Sequence, residues 1–138
     1  MKLSRDHYKA DACIIWCFDN RFWPAFEEFR GESEINHFDP VFVAGGAKAL
    51  GVSDQKNDQD FLLKQIEISI KLHGTKKVIL MTHEDCGAFG GSKSFIYVGE
   101  ELSQHERILG AGKAKVHDSF PNLEITAYFA TFNGLKEI

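Results

Sequence analysis

Lys77-Val-Ile-Leu-Met-Thr-His-Glu-Asp-Cys-Gly87 (KVILMTHEDCG) is the stretch that decides the fold. Lys77 to Thr82 (KVILMT) predicts a buried strand, its Val78 to Met81 continuously apolar as in a strand covered on both faces, and it delivers His83 to a glycine-bearing turn. Gly87, Gly90 and Gly91 make the next segment a permissive turn. Just upstream, Asp58 to His73 predicts a helix: Phe61, Leu62, Ile66 and Ile70 fall at helical spacing, Asp58 and Asp60 sit at its start, and Gly74 stops it. Further back, two short apolar runs predict buried strands, Ala12 to Cys17 (ACIIWC) and Val41 to Ala44 (VFVA), the latter entering Gly45 and Gly46. Between them Pro24 suits the first turn of a short helix over Ala25 to Arg30, ended by Gly31. The polar stretch from Ala47 to Asn57 reads as a loop. Downstream, Glu100 to His117 predicts a long, largely polar helix with Leu102, Ile108 and Leu109 on its thin apolar side, and Pro121 precedes a fourth strand, Leu123 to Phe132. This alternation predicts an α/β fold: a mostly parallel central β-sheet of about four to five strands, flanked by helices.

The chain has 138 residues with no repeat, linker or low-complexity tract, which predicts a single domain over 1–138. Sixteen basic against twenty acidic residues give a net charge of -4, so nucleic acid is not expected as a partner. No apolar run approaches the roughly 20 residues that cross a bilayer, so no membrane is expected either. MKLSRDHYKADAC has a basic flank without an apolar stretch behind it, which predicts a cytoplasmic protein without a signal peptide. There, three cysteines are expected as thiols or metal ligands. Twelve phenylalanines imply a heavily buried interior or an apolar interface.

In a parallel sheet the functional crevice lies beyond the carboxyl ends of the strands, here Cys17 to Arg21, Ala44 to Gly46 and His83 to Gly87. His83 and Cys86 in one turn can reach one metal ion, and Cys17 from another strand would complete three ligands. Thiolate and imidazole suit zinc, and three protein ligands with an open fourth position mark a catalytic site. Cys13 lies four residues back along its strand, about 13 Å from Cys17 when extended, and reads as a small buried apolar residue. Asp19 and Arg21 follow Cys17 at alternate positions. In an extended segment they would point the same way and form a bidentate pair beside the metal.

Cys17-Phe-Asp-Asn-Arg21 with His83-Glu-Asp-Cys-Gly87 resembles the paired signature of the β-class carbonic anhydrases, and GTKKVILMTHEDCGAFGG, from Gly74, resembles the short members of that family. The resemblance implies Cys17, His83 and Cys86 as ligands of Zn2+ and Asp19 with Arg21 as a catalytic dyad. It also implies that Asp19 can swing onto the metal as a fourth, inactivating ligand, from which Arg21 draws it away. The implied reaction is reversible hydration of carbon dioxide to bicarbonate by a zinc-bound hydroxide, in a homodimer or higher homo-oligomer. One departure bears on substrate identity more than on zinc: Phe42 and Val43 stand where members commonly carry Arg-Asn before Ala-Gly; in addition, Phe18 stands where a small residue is frequent. The segment before the first strand is also shorter than the helical arm of larger members.

Gly45, Gly46 and Gly87 are expected to line the substrate pocket, the first two through close backbone approach. His7, His37, His73, His105 and His117 are expected as solvated histidines, and Phe22 and Trp23 as either core or pocket wall. Two other readings of the small-molecule site stay open: a zinc hydrolase of carbonyl sulfide or carbon disulfide, and a non-catalytic zinc-binding protein.

Overall fold

The computed structural model describes residues 1–138. Its five strands are β1 (Ala12–Cys17), β2 (Phe38–Val43), β3 (Lys77–His83), β4 (Glu124–Thr131) and β5 (Gly134–Glu137). They form one sheet in the order β2-β1-β3-β4-β5, parallel except for the last pair. The predicted α/β sheet is therefore present, with an antiparallel edge strand added by a hairpin at Phe132-Asn133. Thr131 pairs with Gly134 across this two-residue loop, so the fourth strand ends one residue before its expected limit.

Alternation along β1 and β3 splits the core into two layers. Cys13, Ile15, Val78 and Leu80 face one layer with Leu62, Ile66, Leu109 and Val116. Ile14, Trp16, Ile79 and Met81 face the other with Phe22, Phe26 and Phe29. The first layer is covered by α2 (Lys48–Gly51), α3 (Lys56–His73) and α4 (Glu100–Ser119), the second by α1 (Trp23–Glu32).

Several expectations need correcting. Helix α1 does not stop at Gly31 but passes through it, and Ser33 closes it with an N–H bond to the Phe29 carbonyl, 2.9 Å. Burial of Phe26 and Phe29 outweighs the modest helix penalty of one glycine. Strand β2 starts at Phe38, and Pro40 is tolerated because β2 is a sheet edge. The expected loop 47–57 contains α2, whose Ala49 and Leu50 are buried, as well as the start of α3. There a Cβ on Gly51 would lie 2.0 Å from the Ile108 carbonyl oxygen, so glycine lets α2 press against α4. Phe61, expected on the apolar face of α3, is instead exposed, while Gln59 and Ser69 are buried.

The feature that positions the site is a fork. Strands β1 and β3 pair only from Cys13–Ile15 against Val78–Leu80. Beyond that, the segment after β2 enters between them: Ala47 N–H donates to the Met81 carbonyl, 2.9 Å. Gly46, at φ +56, leaves no space for a side chain, since a Cβ would meet Met81 O at 2.3 Å and Cys17 N at 3.1 Å. The sheet thus opens where strand order reverses.

Candidate metal centre

Cys17 ends β1 and His83 ends β3, one on each prong of the fork. After His83 the chain turns at once: Glu84 N–H donates to Ala130 O at 2.8 Å, and Asp85 takes a left-handed backbone, φ +55. That turn brings Cys86 back, and its carbonyl is held by the N–H groups of Phe89 and Gly91, at 3.0 and 2.9 Å. The Cys17 and Cys86 sulfurs and a His83 ring nitrogen then all lie within 4.8 Å of one another, and all three residues are buried. This group can hold a metal ion.

The donor set fits one on independent grounds. His83 Nδ1 bonds the Glu84 carbonyl at 2.7 Å, which fixes the ring, while Nε2 is buried with no hydrogen-bond partner. A buried polar atom without a partner is costly unless something binds it, and a ligand histidine characteristically anchors its other nitrogen in this way. Two soft sulfurs and an imidazole are the donors that zinc favours. The electrostatics push in the same direction: the neighbouring Cys86 thiol, then His83 and the N–H groups of Asp19 and Gly45, favour the thiolate at Cys17 and lower its pKa. Cys86, beside that sulfur and buried, is pushed up. Burial opposes a charge on His83, but the Cys17 sulfur, the Glu84 carbonyl and Asp19 outweigh it and raise its pKa.

Asp19 and Arg21 do come together, though not through an extended segment. Residues Asn20–Phe22 form a 3-10 turn that Asp19 caps, its Oδ1 accepting the Arg21 N–H at 3.0 Å. The turn swings the guanidinium back onto the same carboxylate: Nε reaches both oxygens at 3.1 Å and Nη2 reaches Oδ2 at 2.7 Å. Arg21 thereby holds the Asp19 carboxyl down at about 2. Asp19 Oδ2 stands 3.9 Å from His83 Nε2, beside the three ligand atoms but outside their group.

Phe22 is buried against the His83 ring, with centroids 4.3 Å apart, and against exposed Phe132 at 5.0 Å, so it is core and wall at once. Trp23 is half exposed and packs on Phe26 and Phe42. Gly45, at φ +79, lies against the Ala88 methyl, where a Cβ would come to 3.0 Å. Gly87 opens the 3-10 turn after Cys86 and has open space around it. Of the histidines expected in solvent, His105 is not: it is fully buried, with Nδ1 2.7 Å from Thr82 Oγ1. His73 is half buried and bonds Asp39. Asp85, which also touches Arg21, is not among the residues expected from the sequence. Its place inside His83-x-x-Cys86, directly before a ligand candidate, was the available signal.

The family model described as "Putative carbonic anhydrase" matches residues 7–136. An uncharacterized protein of Rickettsia conorii is 24% identical over 146 residues, which cover 99% of this chain and 78% of that protein. Among solved structures, β-carbonic anhydrase isoform I from Trichomonas vaginalis superposes with a TM-score of 0.62 at 16% identity, covering 100% of this chain and 86% of that one. A tetrameric β-carbonic anhydrase from Sordaria macrospora gives 0.54 at 16%, covering 95% and 81%. The apo form of a carbon disulfide hydrolase gives 0.52 at 17%, covering 94% and 79%. At these identities the structures establish a common fold.

Proposed function

Because this chain belongs to the carbonic anhydrase family, we propose that it is a zinc lyase catalysing the reversible hydration of carbon dioxide to bicarbonate. The observation that carries the reading is the buried His83 ring, its Nε2 unpartnered and one of its nitrogens within 4.8 Å of two cysteine sulfurs at the mouth of the fork. Cys17, His83 and Cys86 would hold the ion. Zinc, when bound, supplies Lewis acidity that makes hydroxide available near neutral pH.

The chain's own residues account for the rest. Asp19, fixed by Arg21, offers a carboxylate oxygen 3.9 Å from His83 Nε2 and accepts a hydrogen bond from the nucleophilic hydroxide. That bond would aim the hydroxide lone pair at the carbon of carbon dioxide, so that C–O bond formation, with one C=O π pair moving onto oxygen, would give bicarbonate. Arg21 also keeps the carboxylate off the ion, as the resemblance implies. Phe22 shields one side of His83 from water. The substrate is small and uncharged and needs no charged steering.

The test is zinc content and stopped-flow carbon dioxide hydration on one preparation. One zinc per chain with turnover supports the reading, and full zinc without turnover overturns it. A second reading, hydrolysis of carbonyl sulfide or carbon disulfide, draws support from the fold shared with a carbon disulfide hydrolase. Release of hydrogen sulfide from either compound distinguishes it. We also propose a homo-oligomer, supported by exposed Phe18, Trp23 and Phe132 around the site and by the fold shared with a tetrameric β-carbonic anhydrase. No helix is long and apolar enough to cross a membrane.

A further inference from the structure

Arg21 does not belong to Asp19 alone. Its Nη1 donates to Asp85 Oδ2 at 3.0 Å, and its Nη2 donates to the Asp85 main-chain carbonyl at 3.1 Å. Asp85 therefore grips the guanidinium with side chain and backbone together, on the edge that Asp19 leaves free. It does so from a left-handed backbone, φ +55, a conformation uncommon outside glycine, asparagine and aspartate. That conformation is braced from α4: the Asp85 N–H donates to Glu101 Oε1 at 2.7 Å. Glu101 Oε2 accepts from Ser92 Oγ at 2.8 Å, and Ser92 N–H donates to Asp85 Oδ1 at 2.8 Å. The ring of contacts is closed, and a solvated ion pair would need none of it.

We propose that Asp85, braced by Glu101 and Ser92, is the positioning residue that fixes Arg21 in the orientation where it holds Asp19 away from the metal ligands. The proposal rests on the metal-site reading above. Arg21 has a rigid donor fork, so its direction decides which carboxylate oxygens it can engage. Anchored on one edge by Asp85, it meets Asp19 with Nε and Nη2 and restrains the carboxylate. Released from Asp85, it rotates more freely, and Asp19 reaches the fourth coordination position more often. An exogenous anion competes only for the position that Asp19 leaves open, so its affinity reports that population.

The experiment uses cobalt(II)-loaded full-length chain titrated with thiocyanate and read by the visible spectrum. At equal cobalt content, Asp85→Ala should bind thiocyanate about fivefold more weakly than the parent chain, the scale of one partly exposed charged contact. In an Asp19→Ala background the same substitution should change nothing, because the competing carboxylate is gone. Asp85→Asn, which keeps size and one acceptor, should shift in the same direction, and it carries the test if Asp85→Ala does not fold. Unchanged thiocyanate affinity in the Asp85 variants, or an equal shift with and without Asp19, overturns the proposal. Failure of the parent chain to take up cobalt overturns the metal reading beneath it, which is a different result.

Discussion

Lowering the pH from 7 to 4 should destabilise this fold through His105, and its surroundings set the size of the effect. The ring lies on α4 between Phe89 and Phe129, with centroids at 4.2 and 4.4 Å, and has no solvent exposure. Nδ1 is paired with Thr82 Oγ1, while Nε2 has no partner to accept a second proton's charge. Burial, with a smaller contribution from charge on His83, holds its pKa down at about 4, against an ordinary 6.5. The unfolded chain therefore binds a proton at His105 below pH 6.5, and the folded chain does so only near 4. Stability is complete above 6.5 and falls as pH drops, until the folded-state value is passed. At ~1.4 kcal/mol per unit, the loss accumulates to about 3 kcal/mol over that window. Urea unfolding of the metal-free protein across the pH series measures it, with His105→Asn as comparator, since asparagine can keep the bond to Thr82. The variant begins less stable, but its curve should be flatter by about 3 kcal/mol between pH 6.5 and 4. Parallel curves would refute the argument, because they would mean that His105 titrates alike in both states.

Cys86→Ser should lose zinc under mild chelation and melt at a lower temperature than the zinc-loaded parent, which metal analysis with thermal denaturation checks. Gly46→Ala forces a methyl to 2.3 Å from the Met81 carbonyl at a positive φ. It should cost at least about 2 kcal/mol in chemical denaturation. Arg21→Ala should keep zinc while hydration activity collapses, as stopped-flow assay and metal analysis on the same sample will show. Light scattering at micromolar concentration should give a dimer or larger species, and a monomer would remove the oligomer reading.

What could be read from the chain depended on how locally each feature is encoded. Strand β1 and the core of β3 were legible because unbroken apolar runs bounded by turns have few other fates. Helix α2 was hidden because only four residues form it and its glycine serves contact with α4, not a turn. The three ligand candidates were legible from residue type and from their place at strand ends, and the structure brings them together. The geometry of the Asp19–Arg21 pair was not. The 3-10 turn at Asn20–Phe22 depends on Asp19 capping it, and the second carboxylate on Arg21 depends on a left-handed residue 64 positions along the chain. The burial of His105 is not encoded locally, because a polar helix shows no sign of which single polar residue turns inward. Only the approach of Phe89 and Phe129 settles that.

The fork between β1 and β3 makes chelation a gauge of folding. One sulfur comes from the end of β1, and the imidazole with the other sulfur comes from the end of β3. An unfolded chain can offer an ion only the local His83-x-x-Cys86 pair, so full tridentate affinity exists only after the two strands have aligned and Gly46 has entered between them. Sequence-distant donors would make a bound ion a cross-link, whose gain in affinity on folding would equal the stabilisation it returns. A metal-sensitive dye competing for the ion during refolding would therefore time the arrival of β3 beside β1, with no probe attached to either strand.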